Sequence, residues 1–105
     1  MKNDYGEALD RNGYAPSVIS TESRCFVCGR SGRKLDRHEV WHGPNRDKSK
    51  RLGCWVPLCG DCHDKLHHRG GGLDAELKKT AQPLVTEHYG WTDEEFRALF
   101  GKSYV

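Results

Sequence analysis

The chain is short of apolar residues. Hydrophobic side chains make up 35% of it, against roughly 45–50% in an average globular domain. A chain of 105 residues with so little to bury forms a thin core and needs a staple. Long apolar runs are missing too. None approaches the ~18 residues of a transmembrane helix, so no membrane partner is expected. Met1 to Ala15 contains no apolar stretch of the signal-peptide kind. There is no internal repeat, and no low-complexity tract beyond Gly70-Gly71-Gly72. These absences point to one domain in a cytoplasmic, thiol-reducing compartment, where paired cysteines serve metals rather than disulfides.

Cysteine, by contrast, is plentiful. Cys25-Phe26-Val27-Cys28 and Cys59-Gly60-Asp61-Cys62 are two Cys-x-x-Cys turns, and the thirty residues from 29 to 58 separate them. Each turn presents two sulfurs from one side, so together they supply the four soft ligands that a tetrahedral structural zinc (Zn2+) requires. Cys28-Gly29 continues the first turn as a knuckle whose glycine relieves the backbone and lets amides face sulfur. Cys54 is left over, in an apolar run, and reads as a small buried hydrophobe.

Charge is segregated. The net charge is +2, but Arg24 to Arg51 holds nine Lys/Arg (Arg24, Arg30, Arg33, Lys34, Arg37, Arg46, Lys48, Lys50, Arg51) and three acids (Asp36, Glu39, Asp47), a local +6. A basic block beside a metal site suits a polyanion such as nucleic acid. Arg37, Arg46, Lys48, Lys50 and Arg51 are the expected phosphate contacts.

The pattern of elements is α+β. Met1 to Ser23 is polar, with turns at Asn12-Gly13 and Ala15-Pro16, and reads as a loosely held arm with Tyr5, Leu9 and Tyr14 available to lie on the body. Lys34 to Trp41 reads as a strand with Leu35 and Val40 inward. Gly43-Pro44-Asn45 breaks it, and Arg46 to Leu52 is a basic loop or short helical turn. Cys54 to Leu58 is a second strand pairing back on the first. Gly60 or Asp61 then opens a helix carrying His63 and His67. The glycine triplet is a flexible joint. Leu73 to Tyr89 has Leu73, Leu77, Ala81 and Leu84 at helical spacing, and Pro83 predicts two shorter helices or a kink. Thr92-Asp93-Glu94-Glu95 is a capping box for a last helix with Phe96, Leu99 and Phe100 on one face, stopped by Gly101. The expected organisation is an arm over 1–23, a zinc-stapled core over 24–69 and a helical extension over 70–105 packed on that core.

Five of the six histidines fall between His38 and His68. His63 and His67 are i, i+4 on one helical face, a spacing that lets two imidazoles share an ion. His68 lies roughly 100° round the helix and is the weaker candidate. His38 and Glu39 come from the preceding strand, where neighbours point to opposite faces, so one of the pair meets an ion more directly. Such a group can cut a phosphodiester: a water is deprotonated and aimed at phosphorus, and a divalent cation stabilises the departing oxygen. His or Glu serves as base, and Asn45 can hold a loop or the base through its amide.

Leu35-Asp36-Arg37-His38-Glu39-Val40-Trp41, Gly43-Pro44-Asn45-Arg46-Asp47-Lys48-Ser49 and Leu58-Cys59-Gly60-Asp61-Cys62-His63 together resemble the HNH endonucleases of ββα-metal fold, in particular the short phage-encoded ones. The tail from Gly90-Trp91-Thr92 to Phe100-Gly101-Lys102-Ser103-Tyr104 resembles the end of those phage proteins, and the first two dozen residues have no counterpart. The resemblance implies a small ββα-metal domain with added C-terminal helices and a divalent ion such as Mg2+, Mn2+ or Ni2+ for catalysis. It also implies DNA as substrate, and phage or recombination proteins as partners. By position His38 is a metal ligand and Glu39 stands where the family has its general-base histidine. The roles can equally be exchanged, since carboxylate suits a hard cation and imidazole titrates near neutrality. His63 matches the final metal-binding histidine, and His67 an i+4 ligand. The family's middle asparagine has no counterpart near Cys54, and Asn45 is its nearest substitute.

Overall fold

The computed structural model describes residues 1–31, 34–68 and 72–105, except the side chain of His68. The expected joint at Gly70 and Gly71, Arg33 of the basic block and the candidate imidazole of His68 therefore lie outside the described residues. The element order is β1 (Leu35–Glu39), a 3-10 turn (Gly43–Asn45), α1 (Arg46–Arg51), β2 (Trp55–Cys59), α2 (Gly60–His68), α3 (Leu73–Tyr89) and α4 (Asp93–Phe100). The strands form a two-stranded antiparallel sheet, with Leu35 opposite Cys59 and His38 opposite Val56. A sheet this small is not independently stable. It is covered by helices, and Val40, Trp41, Val56, Leu58, Leu66, Leu77, Ala81, Val85, Phe96 and Phe100 share one buried cluster. The C-terminal helices thus fill the core that the strands begin. Trp41 is its hub, with the rings of Phe96 and Phe100 at 4.9 and 5.1 Å.

Three readings of the sequence need correction. Pro83 does not divide its helix, because α3 runs unbroken from Leu73 to Tyr89. A proline inside a helix costs about 3 kcal/mol. Here packing of Leu77, Ala81, Gln82 and Val85, all buried, offsets that cost. The buried stripe differs accordingly, with Val85 inside and Leu84 exposed. The side chain of Gln82 is also used, for it ties down the C-terminal tail by accepting from the Tyr104 amide at 2.7 Å and donating to Ser103 Oγ at 3.0 Å. The last helix has its capping box, with reciprocal bonds between Thr92 and Glu95 of 3.1 Å.

The third correction concerns the arm, which is stitched to the body. The Asn3 amide donates to the Arg51 carbonyl (2.6 Å), and the Trp55 indole donates to the Ala15 carbonyl (2.7 Å). Ser17 Oγ donates to the Trp55 carbonyl at 2.6 Å. The amides of Ala15 and Val18 donate to the carbonyls of Lys50 and Gly53. At Gly53 (φ +71°) a Cβ would stand 2.2 Å from the Pro16 carbonyl oxygen. Only glycine lets the arm come this close.

Candidate metal centres

The first knuckle closes through Gly29 N–H on the Cys25 carbonyl (2.9 Å), and Phe26 N–H joins it to Pro57 of β2 (2.8 Å). This brings Cys25 and Cys28 to Cys59 at the end of β2 and Cys62 in the first turn of α2. The four sulfurs lie within 4.8 Å of one another. Cys28 Sγ and Cys59 Sγ are 3.7 Å apart. That is far beyond the roughly 2.05 Å of a disulfide, and it matches the spacing of about 3.8 Å that a tetrahedral zinc with Zn–S of about 2.3 Å imposes. Burial raises Cys25, but amides of Cys28, Cys59 and Val27 directed at its sulfur outweigh it and hold the thiol at about 6. Burial, then the neighbouring cysteines, push Cys62 up to about 12. Four sulfurs packed this closely all ionise only around a cation. Cys54 is fully buried outside the cluster, and burial raises its thiol.

The second cluster starts from the pleat of β1. Asp36 and His38 share one face, turned to α2, while Arg37 and Glu39 share the other, turned to Tyr14 of the arm. His38 is 2% exposed. Its ligand nitrogen and those of His63 and His67 lie within 4.8 Å of one another, and its ring centre is 5.3 and 5.5 Å from theirs. The Nε2 atoms of His63 and His67 are 3.1 Å apart, near the ligand spacing of about 3.3 Å around a tetrahedral ion with 2.0–2.1 Å bonds. Asp36 Oδ2 lies 3.1 Å from His63 Nδ1; with Nδ1–H donating to that oxygen, Nε2 presents its lone pair to an ion. This is how a carboxylate orients a metal-bound histidine. His38 Nε2 is buried with no hydrogen-bond partner among the described residues. Burial, then the charges of His63, His42 and His67, push its imidazole down to about 4, so it stays neutral and able to ligate. This set of donors fits a divalent ion.

Glu39 is not in this trio. Its carboxylate accepts from Tyr14 Oη at 3.0 Å and faces Arg46 Nε at 3.4 Å, and its side chain is 12% exposed. It does line the same cleft of about 230 Å³, together with Tyr14, Arg37, His38, His42, Arg46, His63 and His67. Asn45 is not among these lining residues; its amide donates to the Phe100 carbonyl (3.0 Å) and clamps the 3-10 turn to α4. The basic residues divide in the same way. Arg37 and Arg46 line the cleft, and Lys50 lies 4.9 Å from the Tyr14 ring centre. Lys48 Nζ donates to the Leu99 carbonyl. Lys48 and Arg51 border a separate hollow with Asn3, Tyr5 and Leu99.

Four residues of the site escaped the sequence reading: Tyr14, Asp36, His42 and Asp74. His42 Nε2 is 3.3 Å from Asp74 Oδ1, and the pair forms a second possible ligand group with His38. The histidine run from His38 hinted at His42. Asp74 opens α3 and is linked to the rest only by folding.

No family model, curated protein or solved structure matches the chain. No described helix is long and apolar enough to cross a membrane.

Proposed function

We propose that the chain is a metal-dependent DNA endonuclease or nickase of HNH type, hydrolysing phosphodiester bonds in the histidine cleft. One observation carries this reading: His38, whose Nε2 is buried without a hydrogen-bond partner among the described residues, has a ring nitrogen within 4.8 Å of those of His63 and His67. An unsatisfied buried polar group costs about 1–3 kcal/mol, and three converging imidazoles meet that cost by binding a divalent cation. His38, His63 and His67 hold the ion, and the four cysteines hold a structural zinc. When bound, the catalytic ion supplies charge stabilisation for the phosphoryl and departing oxygens.

The protein's own groups do the rest. Glu39, which lines the same cleft outside the trio, accepts one proton from the attacking water. The water oxygen bonds to phosphorus, the P–O3′ bond breaks, and the departing oxygen takes a proton from solvent. Arg46 and Arg37 hold neighbouring phosphates. The low exposure of His38 and the place of Glu39 on the cleft lining outside the trio favour ligand and base in that order over the exchanged roles.

A second reading is a zinc-dependent DNA-binding module without catalysis. It is favoured by the carboxylate that stands in for the family's base histidine, with both oxygens engaged by Tyr14 and Arg46. Supercoiled plasmid incubated with Mg2+, Mn2+ or Ni2+ separates the two. The nuclease reading expects the wild type to nick or linearise it and His63→Ala to leave it intact while still binding DNA. Equal survival of the plasmid with both proteins across those metals removes the nuclease reading. The binding module expects DNA affinity indifferent to His38.

A further inference from the structure

We infer that Tyr14 is a positioning residue that sets the orientation of the Glu39 carboxylate in the cleft. This rests on the nuclease reading above and extends it to a segment outside the region of resemblance. A glutamate has three rotatable bonds, and a base must be held in one geometry to abstract a proton efficiently. Two groups hold Glu39: Tyr14 Oη on Oε2 at 3.0 Å and Arg46 Nε 3.4 Å from Oε1. They differ in permanence. The Arg46 side chain is 64% exposed, and a guanidinium turns readily to an incoming phosphate. Tyr14 is fixed. Its ring meets Trp55 edge-on at 5.9 Å, the Arg37 guanidinium carbon lies 4.3 Å from its centre, and the adjoining Ala15 is bonded to Trp55 and Lys50. When DNA draws Arg46 away, the tyrosine hydroxyl remains as the group fixing Oε2, and it leaves Oε1 to meet the water. Tyr14 moves no proton itself.

The experiment compares wild type, Tyr14→Phe, Glu39→Gln and the double variant under single-turnover conditions with saturating plasmid. Phenylalanine keeps the ring contacts and removes only the hydroxyl. Tyr14→Phe is expected to slow cleavage about 10- to 100-fold, a part of the roughly 10²–10⁴-fold that a positioned general base contributes. The DNA Kd measured in Ca2+, the melting temperature and the visible spectrum of the Co2+-loaded protein are expected to stay unchanged. In the Glu39→Gln background the same substitution is expected to cost nothing, because groups that act as a unit are non-additive. Glu39→Asp, which draws the carboxylate back from the hydroxyl without touching Tyr14, is expected to reproduce the loss. Cleavage by Tyr14→Phe at the wild-type rate overturns the inference and leaves the nuclease reading standing. So do losses that multiply in the double variant, or a changed Co2+ spectrum, either of which assigns Tyr14 to the fold or the ion. A wild type that cleaves with no metal removes both.

Discussion

Cys62 and His63 are neighbours on α2, yet they serve two clusters built on different terms. The thiol cluster is complete in itself: four donors, three of them buried, hydrogen-bonded by local amides and matched to a closed tetrahedron. The histidine cluster has three donors, a carboxylate behind one of its imidazoles, a cleft of about 230 Å³ in front and two arginines on the rim. Successive helical residues diverge by about 100°, so one turn of helix feeds both. A filled ligand shell holds the chain together, whereas an incomplete one leaves room for chemistry. The contrast predicts that the two clusters fail differently.

The largest effect belongs to the thiols. Stripping the metal with a strong chelator, or replacing Cys59 with serine, is expected to abolish the cooperative thermal transition, since structural zinc contributes on the order of 10 kcal/mol to folding in small zinc domains. Circular dichroism checks this, and a fold that melts normally after chelation breaks the assignment. Next comes His63→Ala. The protein is expected to keep its fold and one tightly bound zinc, while binding of a second ion and plasmid cleavage fall below detection. Metal analysis beside melting curves reads both. If His63→Ala unfolds as Cys59→Ser does, the two clusters are not functionally distinct.

A subtler probe is Asp36. The carboxylate fixes which nitrogen of His63 carries the proton, so Asp36→Asn is expected to weaken binding of the second ion about 10- to 100-fold, the usual effect of losing an orienting partner. The thiol site should keep its zinc. Competition with a metal indicator measures both affinities in one titration. Equal weakening of the two sites would mean that Asp36 supports the fold as a whole.

The same contrast explains what was legible in the sequence. The thiol pairs, the second strand, the start of α2 and the capping box are governed by spacing over a few residues, and local chemistry specifies them. His63 and His67 belong to this class. Asp36 stands inside a marked motif, two residues before His38, but its role depends on a helix more than twenty residues away. Tyr14 lies on the body as the sequence suggests, but its bond to Glu39 and the backbone carbonyls that anchor its neighbours leave no periodic trace. Gly53 was likewise invisible, since its need for glycine arises only when Pro16 packs on it. Pro83 shows the opposite case: of the two helices or the kink that its local rule allows, burial of Leu77, Ala81 and Val85 excludes the division. Asn45 and Lys48 were assigned by sequence neighbourhood, and the fold turns both toward α4.

The smallest expected effect tests that last division. If the cleft is where DNA lies, Arg46→Ala removes one phosphate contact, weakens binding similarly for all sequences and lowers the slope of log K against log salt by about 1. Arg37→Ala acts in the same direction, with part of its effect passing through the Asp10 pair at 2.6 Å. Lys48→Ala is expected to leave the salt slope unchanged, because its ammonium is already engaged by the Leu99 carbonyl, and to cost a small amount of stability as α4 loses that tie. Fluorescence anisotropy over a salt series, with melting curves alongside, distinguishes the two residues. A slope reduced equally by Arg46→Ala and Lys48→Ala would show that DNA spreads over the whole basic segment, and the cleft would no longer be set apart from the rest of the surface.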